Sequence, residues 1–482
     1  MKQSMRIRVR FAPAPTGMMH LGNVRAAVMN FVFAKQQKGV FIVRVEDTDQ
    51  ERNYDVGAKN IIADLQWLGL HYDEGPGVGG PFGPYFQSER DDLYQKALGK
   101  LIDQGLCYRC FCSVEMLEKK RIRMQAVGLA PRYDRACLQL SGLEIDQLLA
   151  QQKPFMWRFK LDHTNKVVVN DLAHGQKFFE LSNFSDFPLT RSDGSFTFIF
   201  ANFVDDMSMQ ITHIFRGEDH LTNSACQASL FEAFNIPLPV YLHMPILCNI
   251  DGKKLSKRDF GFSLRDLKDA GFLAEAIVNY LGIIGASFEE EIMNINELAQ
   301  AIHFDRLSTT GHIKYDVEKL RWVNRKWIHA LPIKKFLELA KPFLFDMYPN
   351  ARSLDDELLI LLLEMIQQDI HTLKDVQAAL SFYFAYTPPT QALLQQHFSS
   401  ESIKQIKDSL VLSLAASDNG ESFLKSIKQH AEVLKIPLKN IYVTIRLIAA
   451  CTPHGIAIKD LINALGYKEL ADRLHKVMDT IN

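Results

Sequence analysis

The spacing of apolar and polar positions changes along the chain, and its clearest pattern lies in the first fifty residues. Residues 6–11 alternate basic and apolar side chains before the Pro- and Gly-containing residues 12–17, which predicts a strand that enters a loop. Apolar residues then recur at helical spacing over residues 21–37, and the β-rich residues 41–45 follow. This order predicts a parallel sheet with right-handed crossovers and ligands at the carboxyl ends of its strands.

The rest of the chain reads as a mixed part followed by a helical part. The glycine-rich residues 75–83 end the first half of the predicted sheet. The apolar residues 196–204 and 211–215 are predicted as buried strands that return to that sheet. From residue 263 onward the apolar spacing is predominantly helical.

Length and composition restrict the class of protein. A chain of 482 residues is too long for one compact domain, and its net charge of −1 argues against a general nucleic-acid coat protein. Residues 1–11 lack the long apolar stretch of a secretory signal. The aliphatic residues 358–363 are too few to span a bilayer. We therefore expect a cytoplasmic protein without a membrane segment.

Two short strings have the composition of phosphate-binding devices. The first, residues 13–23, places His20 and Gly22 at the start of a predicted helix, where backbone donors and the helix dipole favour an anion. The second, residues 253–258, supplies three lysines and an arginine after a turn signal. Taken alone, such a histidine is usually a satisfied surface or capping residue, and such a basic string is usually a solvated loop. The two strings in this order are far more specific than either one.

The strings resemble the HIGH and KMSKS signatures of class I aminoacyl-tRNA synthetases. Further blocks are similar to those of bacterial glutamyl-tRNA synthetases and keep the family order: FIVRVEDTDQER, LQWLGLHYDEG, GPYFQSER, ANFVDDM, FRGEDHLTN, YLHMPIL, GFLAEAIVNYLG and YDVEKLRWVN. The resemblance covers essentially the whole chain. It implies an α/β plus all-α fold, with a Rossmann-type parallel sheet, an inserted domain, and helical connecting and anticodon-binding domains.

On this resemblance the chain divides into consecutive segments. The catalytic domain takes residues 1–83 and 191–250, and a tRNA-acceptor-binding domain is inserted at 84–190. The KMSKS loop and a stem-contact domain take 251–330. Two helical anticodon-binding domains take 331–388 and 389–482.

The resemblance implies ATP-dependent ligation of L-glutamate to the 3′ end of tRNA(Glu), with Mg²⁺ as the metal of ATP. The glutamate carboxylate attacks the α-phosphate to give glutamyl-adenylate, and the 2′-hydroxyl of the terminal adenosine then takes the glutamyl group. No protein nucleophile is needed, because alignment and cationic stabilisation lower the barrier. The family likeness implies a monomer whose adenylation needs tRNA. Two alternatives stay open: a paralogue that also uses tRNA(Gln), and a catalytically silent tRNA-binding regulatory protein.

Motif matches imply roles for individual residues. The catalytic residues are His20, Lys254, Ser256 and Lys257. The ATP-binding residues are Pro13, Thr16, Gly17, His20, Gly22, Asn23 and Lys257. The glutamate-binding residues are Arg10, Ala12, Ala14, Glu46, Phe198, Asn202 and Arg216. The two arginines of this set would hold the carboxylates, because a planar guanidinium matches a carboxylate better than an ammonium does.

Some of these residues have plainer interpretations or depart from the family. Arg10 is also compatible with a cation at a sheet edge, Glu46 with an exposed carboxylate, and Arg216 with a partly buried, paired arginine. Ala14 and Phe198 stand where the family usually has serine and tyrosine. Since both changes remove a hydroxyl near the expected pocket, each is predicted to weaken glutamate binding by about 0.5–1.5 kcal/mol.

Four of the seven cysteines fall within residues 107–137. The spacing of Cys110, Cys112 and Cys137 is a zinc signal that lacks a fourth ligand. The segment matches the CxC…YxxxC pattern of zinc-binding family members, which implies Tyr133 or a water as the fourth ligand. Cys107 is a rival ligand, and reduced cysteines without metal are the alternative.

The helical half is expected to bind the anticodon through basic and aromatic residues. Basic residues surround Trp322 and Trp327, for which a role in the core is predicted: Lys319, Arg321, Arg325 and Lys326. Discriminating family members often place an arginine in a region that resembles residues 367–371, and this segment contains none. The choice between tRNA(Glu) and tRNA(Gln) therefore stays open.

Overall fold

The chain folds into two units, and every strand in its described part belongs to the first unit. The computed structural model describes residues 6–15, 17–48, 55–128, 130–308 and 311–480. The first unit comprises Met1–Asp266 and Ile277–Val317, and the second comprises Leu267–Ala276 and Glu318–Asn482. The predicted α/β part followed by a helical part is confirmed.

The bounds of the elements are as follows. The strands are β1 Arg8–Phe11, β2 Val40–Val43, β3 Cys107–Cys110, β4 Met156–Phe159, β5 Lys166–Asp171, β6 Gly175–Glu180, β7 His213–Gly217, β8 Val240–Met244, β9 Leu247–Cys248 and β10 Ile313–Lys314. The helices of the first part are α1 Leu21–Gln36, α2 Lys59–Trp67, α3 Asp91–Asp103, α4 Val114–Ala126, α5 Gly142–Ala150, α6 Phe198–Ser208, α7 Leu221–Ala233, α8 Leu264–Asp269, α9 Ala274–Ile283 and α10 Ile295–Ala301. The later helices are α11 Val317–Ala330, α12 Ile333–Met347, α13 Asp356–Ile366, α14 Val376–Ala379, α15 Ser381–Phe384, α16 Gln391–Gln395, α17 Ser400–Ala415, α18 Gly420–Val433, α19 Leu438–Ala450, α20 Ile458–Leu465 and α21 Tyr467–Met478.

The main sheet has the order β2-β1-β7-β8-β5-β6, and only its last pair is antiparallel. Helix α1 connects the parallel strands β1 and β2, as the first fifty residues predict. It buries Leu21, Val24, Val28 and Val32 completely, and these four residues belong to the predicted helical spacing. The carboxyl ends of β1, β7 and β8 lie side by side, so the loops that follow them form one edge of the sheet.

Residues 198–208 form α6, so the prediction of a strand over residues 196–204 is wrong. A short apolar run does not by itself distinguish a buried strand from a buried helix. This helix is buried on almost every side, and its polar residues Asn202, Asp205 and Asp206 are buried as well. It therefore lacks the solvent-exposed polar face that makes a helical period visible in a sequence.

The antiparallel pair β5 and β6 extends the main sheet beside β8, with Asp171 opposite Tyr241. The sequence division places both strands in the inserted segment 84–190. The apolar core crosses that boundary, because Val169 and Phe200 belong to one buried cluster. Strands β3 and β4 form a separate two-stranded sheet inside the same segment.

The second unit is built from helices around its own apolar core, which includes Phe336, Leu362, Leu410 and Leu474. None of the helices in the described ranges combines the length and apolar character needed to cross a membrane.

Candidate active site

A cavity of about 620 Å³ lies at the carboxyl ends of the parallel strands. It brings together most of the residues that the sequence analysis proposed: Arg10, Ala12, Pro13, Ala14, His20, Gly22, Asn23, Glu46, Phe198, Asn202, Arg216 and Lys254. Gly17, Ser256 and Lys257 do not line it, and Thr16 lies outside the described residues. The two sequence strings and the predicted glutamate set thus share one cavity, with Lys257 outside it.

His20 is the N-cap of α1, and its Nδ1 accepts a hydrogen bond from the backbone N–H of Asn23 at 3.3 Å. A Cβ at Gly22 would lie 3.0 Å from the imidazole, so glycine makes room for this ring position. Burial and then the nearby Lys254 lower the pKa of His20 below its ordinary value, which keeps the ring neutral at neutral pH. With Nδ1 accepting, the proton resides on Nε2, which can donate to a ligand. The capping and ligand-binding interpretations are therefore compatible.

The segment after the basic string is hydrogen-bonded to the first string. Leu21 donates its backbone N–H to the carbonyl of Phe262 at 2.9 Å, and Leu264 donates to the carbonyl of Met19 at 2.9 Å. The Phe262 ring also stacks on His20 with 5.5 Å between the ring centroids. Strings far apart in the sequence are therefore held at one end of the cavity.

The basic loop has its own internal scaffold. Asp259 accepts hydrogen bonds from the backbone N–H and the hydroxyl of Ser256 at 2.8 and 2.9 Å, and from the Asn249 side chain at 3.1 Å. Lys254 reaches the cavity, where its Nζ lies 3.5 Å from Asp219. Lys257 is exposed. Ser256 therefore shapes the loop, while the lysines remain accessible to solvent.

A buried network of ions fixes the opposite end of the cavity. Arg10 donates two hydrogen bonds to the Asp206 carboxylate, from Nε at 2.9 Å and from Nη2 at 3.2 Å. The Arg44 guanidinium lies 2.6 Å from Asp206 Oδ1 and 3.1 Å from Glu46 Oε1. Asn202 donates to Glu46 at 2.5 Å. Burial raises the pKa of Glu46 above its ordinary value, against the opposing effects of Arg44 and Arg10. Arg10 and Glu46 are thus buried and paired, which excludes the sheet-edge and exposed interpretations.

Arg216 is the least satisfied charge of this network. Its Nη2 donates to Ser224 Oγ at 2.7 Å and to Gln227 Oε1 at 2.8 Å, whereas its buried Nε and Nη1 have no hydrogen-bond partner among the described residues. Burial lowers the pKa of Arg216, because no carboxylate is bonded to it in the described structure. A buried guanidinium with unpaired N–H groups is costly unless an anion completes it. A ligand carboxylate at this position would do so.

The cysteine cluster forms a second, separate candidate site. The Sγ atoms of Cys110, Cys112 and Cys137 lie within 4.8 Å of one another, and all three residues are buried. The Tyr133 hydroxyl lies 3.3 Å from Cys110 Sγ and 3.9 Å from Cys112 Sγ. Cys107 packs instead against the main core cluster. Three thiols beside a phenol oxygen are a donor set that fits zinc.

Comparisons with known proteins identify the family to which this arrangement belongs. Residues 6–322 match the family described as tRNA synthetases class I (E and Q), catalytic domain, and residues 335–478 match an anticodon-binding domain. The chain belongs to the class I tRNA synthetases. A glutamate–tRNA ligase of Carboxydothermus hydrogenoformans is 36% identical over 479 residues, which cover 97% of this chain and 99% of that protein.

Other relatives of this class I synthetase agree over the same length. Glutamate–tRNA ligase 1 of Pseudothermotoga lettingae is 35% identical over 98% of this chain and 100% of the relative. The crystal structure of a glutamate tRNA ligase from Elizabethkingia meningosepticum in complex with its amino acid matches with a TM-score of 0.87 at 28% identity. That match covers 99% of this chain and 100% of the solved one.

In the second unit of this synthetase, an arginine from α11 reaches the segment that lacks one of its own. Arg325 donates to the carbonyl of Gln368 at 2.9 Å, and its Nη1 lies 3.5 Å from His371 Nε2. Trp322 is 40% exposed, so its predicted place in the core is wrong, while Trp327 is half-buried. The buried stripe of α11 runs instead through Leu320, Val323, Asn324 and Ile328.

Several residues that build the synthetase site have no role in the sequence-based prediction. They are the network partners Arg44, Asp205 and Asp206, the Arg216 partners Ser224 and Gln227, and the loop residues Asn249 and Asp259. The detectable signal for Arg44 was a charge inside the apolar run FIVRVED, since an arginine in a buried strand needs a carboxylate partner. The other contacts depend on tertiary structure.

Proposed function

We propose that this chain joins L-glutamate to the 3′ end of tRNA(Glu), using ATP with Mg²⁺ and passing through glutamyl-adenylate. The observation that carries the proposal is the division of the cavity. One end holds Arg216 with two unpaired guanidinium nitrogens, and the other holds His20 at the start of α1 together with Lys254 of the basic loop. These ends match an amino acid with an additional carboxylate and a chain of phosphates.

At the amino-acid end, we propose a task for each buried group. Arg216 binds a glutamate carboxylate through its unpaired N–H groups. Glu46, held by Asn202 and Arg44, faces the substrate ammonium. Arg10 completes the positive end, although Asp206 already occupies its fork. Fixing both ends of glutamate aligns its reacting carboxylate with the α-phosphate, and alignment of this kind is worth about 7–11 kcal/mol in favourable cases.

At the phosphate end, the Nε2–H of His20 and the ammonium of Lys254 stabilise the negative charge that develops on the α-phosphate. Lys257 lies outside the cavity in the described conformation, and we propose that its loop turns inward over the phosphates when ATP binds. Among the described residues, Cys110, Cys112 and Cys137 form the group of three or more potential ligands that lie close enough together to hold a metal ion. Mg²⁺ would therefore take its ligands mainly from the phosphates and water.

The remaining segments are proposed to serve tRNA. Residues 84–190 would bind the acceptor end, and the helical segments 331–388 and 389–482 would bind the anticodon, in a chain that acts as a monomer. Cys110, Cys112, Cys137 and Tyr133 would hold a structural zinc ion in the acceptor-binding segment. Metal analysis after exhaustive dialysis should find about one zinc per chain, with Cys137→Ser losing it and Cys107→Ser keeping it. Well under one zinc in the unaltered chain would leave the cluster as reduced cysteines.

The decisive experiment is aminoacylation with radiolabelled glutamate and separately purified tRNA isoacceptors, beside pyrophosphate exchange with and without tRNA. We expect charging of tRNA(Glu) and exchange only when tRNA is present. Equal charging of tRNA(Gln) would identify a synthetase that does not discriminate. Binding of tRNA without charging of any isoacceptor would overturn the proposal in favour of a silent tRNA-binding protein.

A further inference from the structure

A series of short hydrogen bonds connects Arg216 to three residues that do not line the cavity. Ser224 Oγ lies 2.7 Å from Arg216 Nη2 and 2.7 Å from His243 Nε2, and His243 Nδ1 lies 2.7 Å from Asp171 Oδ2. Ser224, His243 and Asp171 are at most 5% exposed. The proposed function assigns no task to these three residues.

The fold itself sets this alignment. Arg216 on β7 is directly opposite His243 on β8, and Asp171 at the end of β5 is opposite Tyr241, two residues before the histidine. Facing residues of neighbouring strands point to the same side of a sheet. The first turn of α7 then inserts Ser224 between the guanidinium and the imidazole. Three strands and a helix therefore converge on one guanidinium nitrogen.

Each hydrogen bond in this series has a definite donor and acceptor. Hydrogen bonds from His243 and from backbone N–H groups outweigh burial and lower the pKa of Asp171, so it is a carboxylate that accepts the Nδ1–H of His243. Burial lowers the pKa of His243 itself, which leaves its Nε2 as an acceptor. The Ser224 hydroxyl donates there at 2.7 Å rather than to the His220 carbonyl at 3.3 Å. Its oxygen is then available to accept from Arg216.

The order Asp-His-Ser is also that of a nucleophilic triad, but the surroundings exclude that use here. Neither Ser224 nor His243 lines the cavity. The serine oxygen already accepts from a guanidinium, which would oppose any build-up of nucleophilic character by the histidine. The chain of bonds is thus suited to holding Arg216 rather than to attacking a substrate.

We propose that Asp171, His243 and Ser224 are positioning residues that lock the Arg216 guanidinium in the orientation that selects a carboxylate over a carboxamide. The lock rests on the proposed role of Arg216 in binding glutamate. It fixes Nη2 as a donor to Ser224 and Gln227 and leaves the N–H bonds of Nε and Nη1, which point in different directions, as separate donors to substrate oxygens. A carboxamide offers one oxygen and turns its NH₂ toward a second donor, so a fixed arginine rejects it.

The test compares pyrophosphate exchange, in the presence of tRNA, for full-length Ser224→Ala, His243→Leu and His243→Gln. Ser224→Ala and His243→Leu should each raise the glutamate KM roughly tenfold, since a hydrogen bond to a charged group is removed. The ATP KM should stay within about twofold, and the ratio of kcat/KM for glutamate over glutamine should fall. His243→Gln should retain much of the function, because its amide oxygen can replace Nε2 as the acceptor for Ser224.

The matched control is Ser229→Ala on the same helix. Ser229 is also buried, but its hydroxyl donates only to the Ala225 carbonyl at 3.3 Å among the described residues. Thermal unfolding of each variant shows whether a raised glutamate KM reflects loss of the hydrogen bonds to Arg216 or loss of the folded structure. If His243→Leu does not fold, Ser224→Ala carries the test.

An Arg216→Gln variant tests the role of Arg216 in binding glutamate separately from the role of the three positioning residues. If it loses glutamate binding while Ser224→Ala matches the Ser229→Ala control in glutamate KM and in selectivity, the lock is refuted and the role of Arg216 stands. If Arg216→Gln itself leaves the glutamate KM unchanged, the carboxylate site is elsewhere and both inferences fail. Equal rises in the glutamate and ATP KM values for Ser224→Ala would show that these hydrogen bonds only stabilise the structure, and would overturn their role in selecting glutamate.

Discussion

The two ends of the cavity are built in opposite ways. At the end proposed to bind the amino acid, Arg10 and Arg44 are almost entirely buried, and both pair with the buried Asp206. At the phosphate end, Lys254 is largely exposed, and Lys257 is exposed outside the cavity. We propose that the contrast follows from the ligands. A small amino acid is selected by fixed donors, whereas a polyphosphate that must enter, react and leave suits cations on an adjustable loop.

Replacement of Arg216 by glutamine breaks the fixed end and should have the largest effect. The change leaves a substrate carboxylate without its guanidinium in a buried place, so the glutamate KM should rise on the order of 10³-fold, with little change in the ATP KM. Steady-state pyrophosphate exchange measures both constants. Arg216→Lys, which keeps the charge but not the fork, serves as the control and should recover only part of the loss. Parallel losses for ATP and glutamate would show that the two ends are not separate.

Replacement of His20 by alanine tests the phosphate end. We expect kcat to fall about 10²-fold at nearly constant glutamate KM, because a donor to the developing phosphate charge is removed. Loss of the cap on α1 should also cost about 1 kcal/mol of unfolding free energy. His20→Asn restores a capping oxygen, so its unfolding midpoint should return while kcat stays low. Recovery of both by asparagine would assign His20 a structural task alone.

How far the sequence predicts this contrast depends on the kind of contact. The strand-helix-strand start and the shared cavity followed from local spacing and from motif order. The pairing of Arg10 with Asp206 and the hydrogen bond between His243 and Asp171 join elements that are distant in the sequence, so no local pattern encodes them. The buried period of α6 was hidden because the helix has polar residues on its buried side. Local pattern thus located the site, and tertiary packing determined which of its ends is rigid.

Low pH should weaken glutamate binding, because Glu46 then takes up a proton. Burial raises the pKa of Glu46, so it takes up a proton at a higher pH than an exposed glutamate would. The ionised form binds the substrate ammonium, and the glutamate KM should therefore be constant above that raised pKa and increase as the pH falls through it. Pyrophosphate exchange over a pH series measures the glutamate KM at each pH. Glu46→Gln should raise the glutamate KM at neutral pH and abolish its further rise at low pH. If that rise at low pH persists in the variant, another group is responsible for it.

The smallest effect is expected from Phe198→Tyr, which adds a hydroxyl to the fixed end. Phe198 lines the cavity at the start of α6, and its ring lies 5.5 Å from that of His220. If the added hydroxyl meets a polar group of glutamate, the KM should fall about two- to tenfold, the equivalent of one hydrogen bond of about 0.5–1.5 kcal/mol. Steady-state titration of glutamate measures it, with Phe196→Tyr, buried outside the cavity, as the control. No change for Phe198→Tyr would mean that the buried network alone sets affinity at this end, and that the phenylalanine does not weaken glutamate binding.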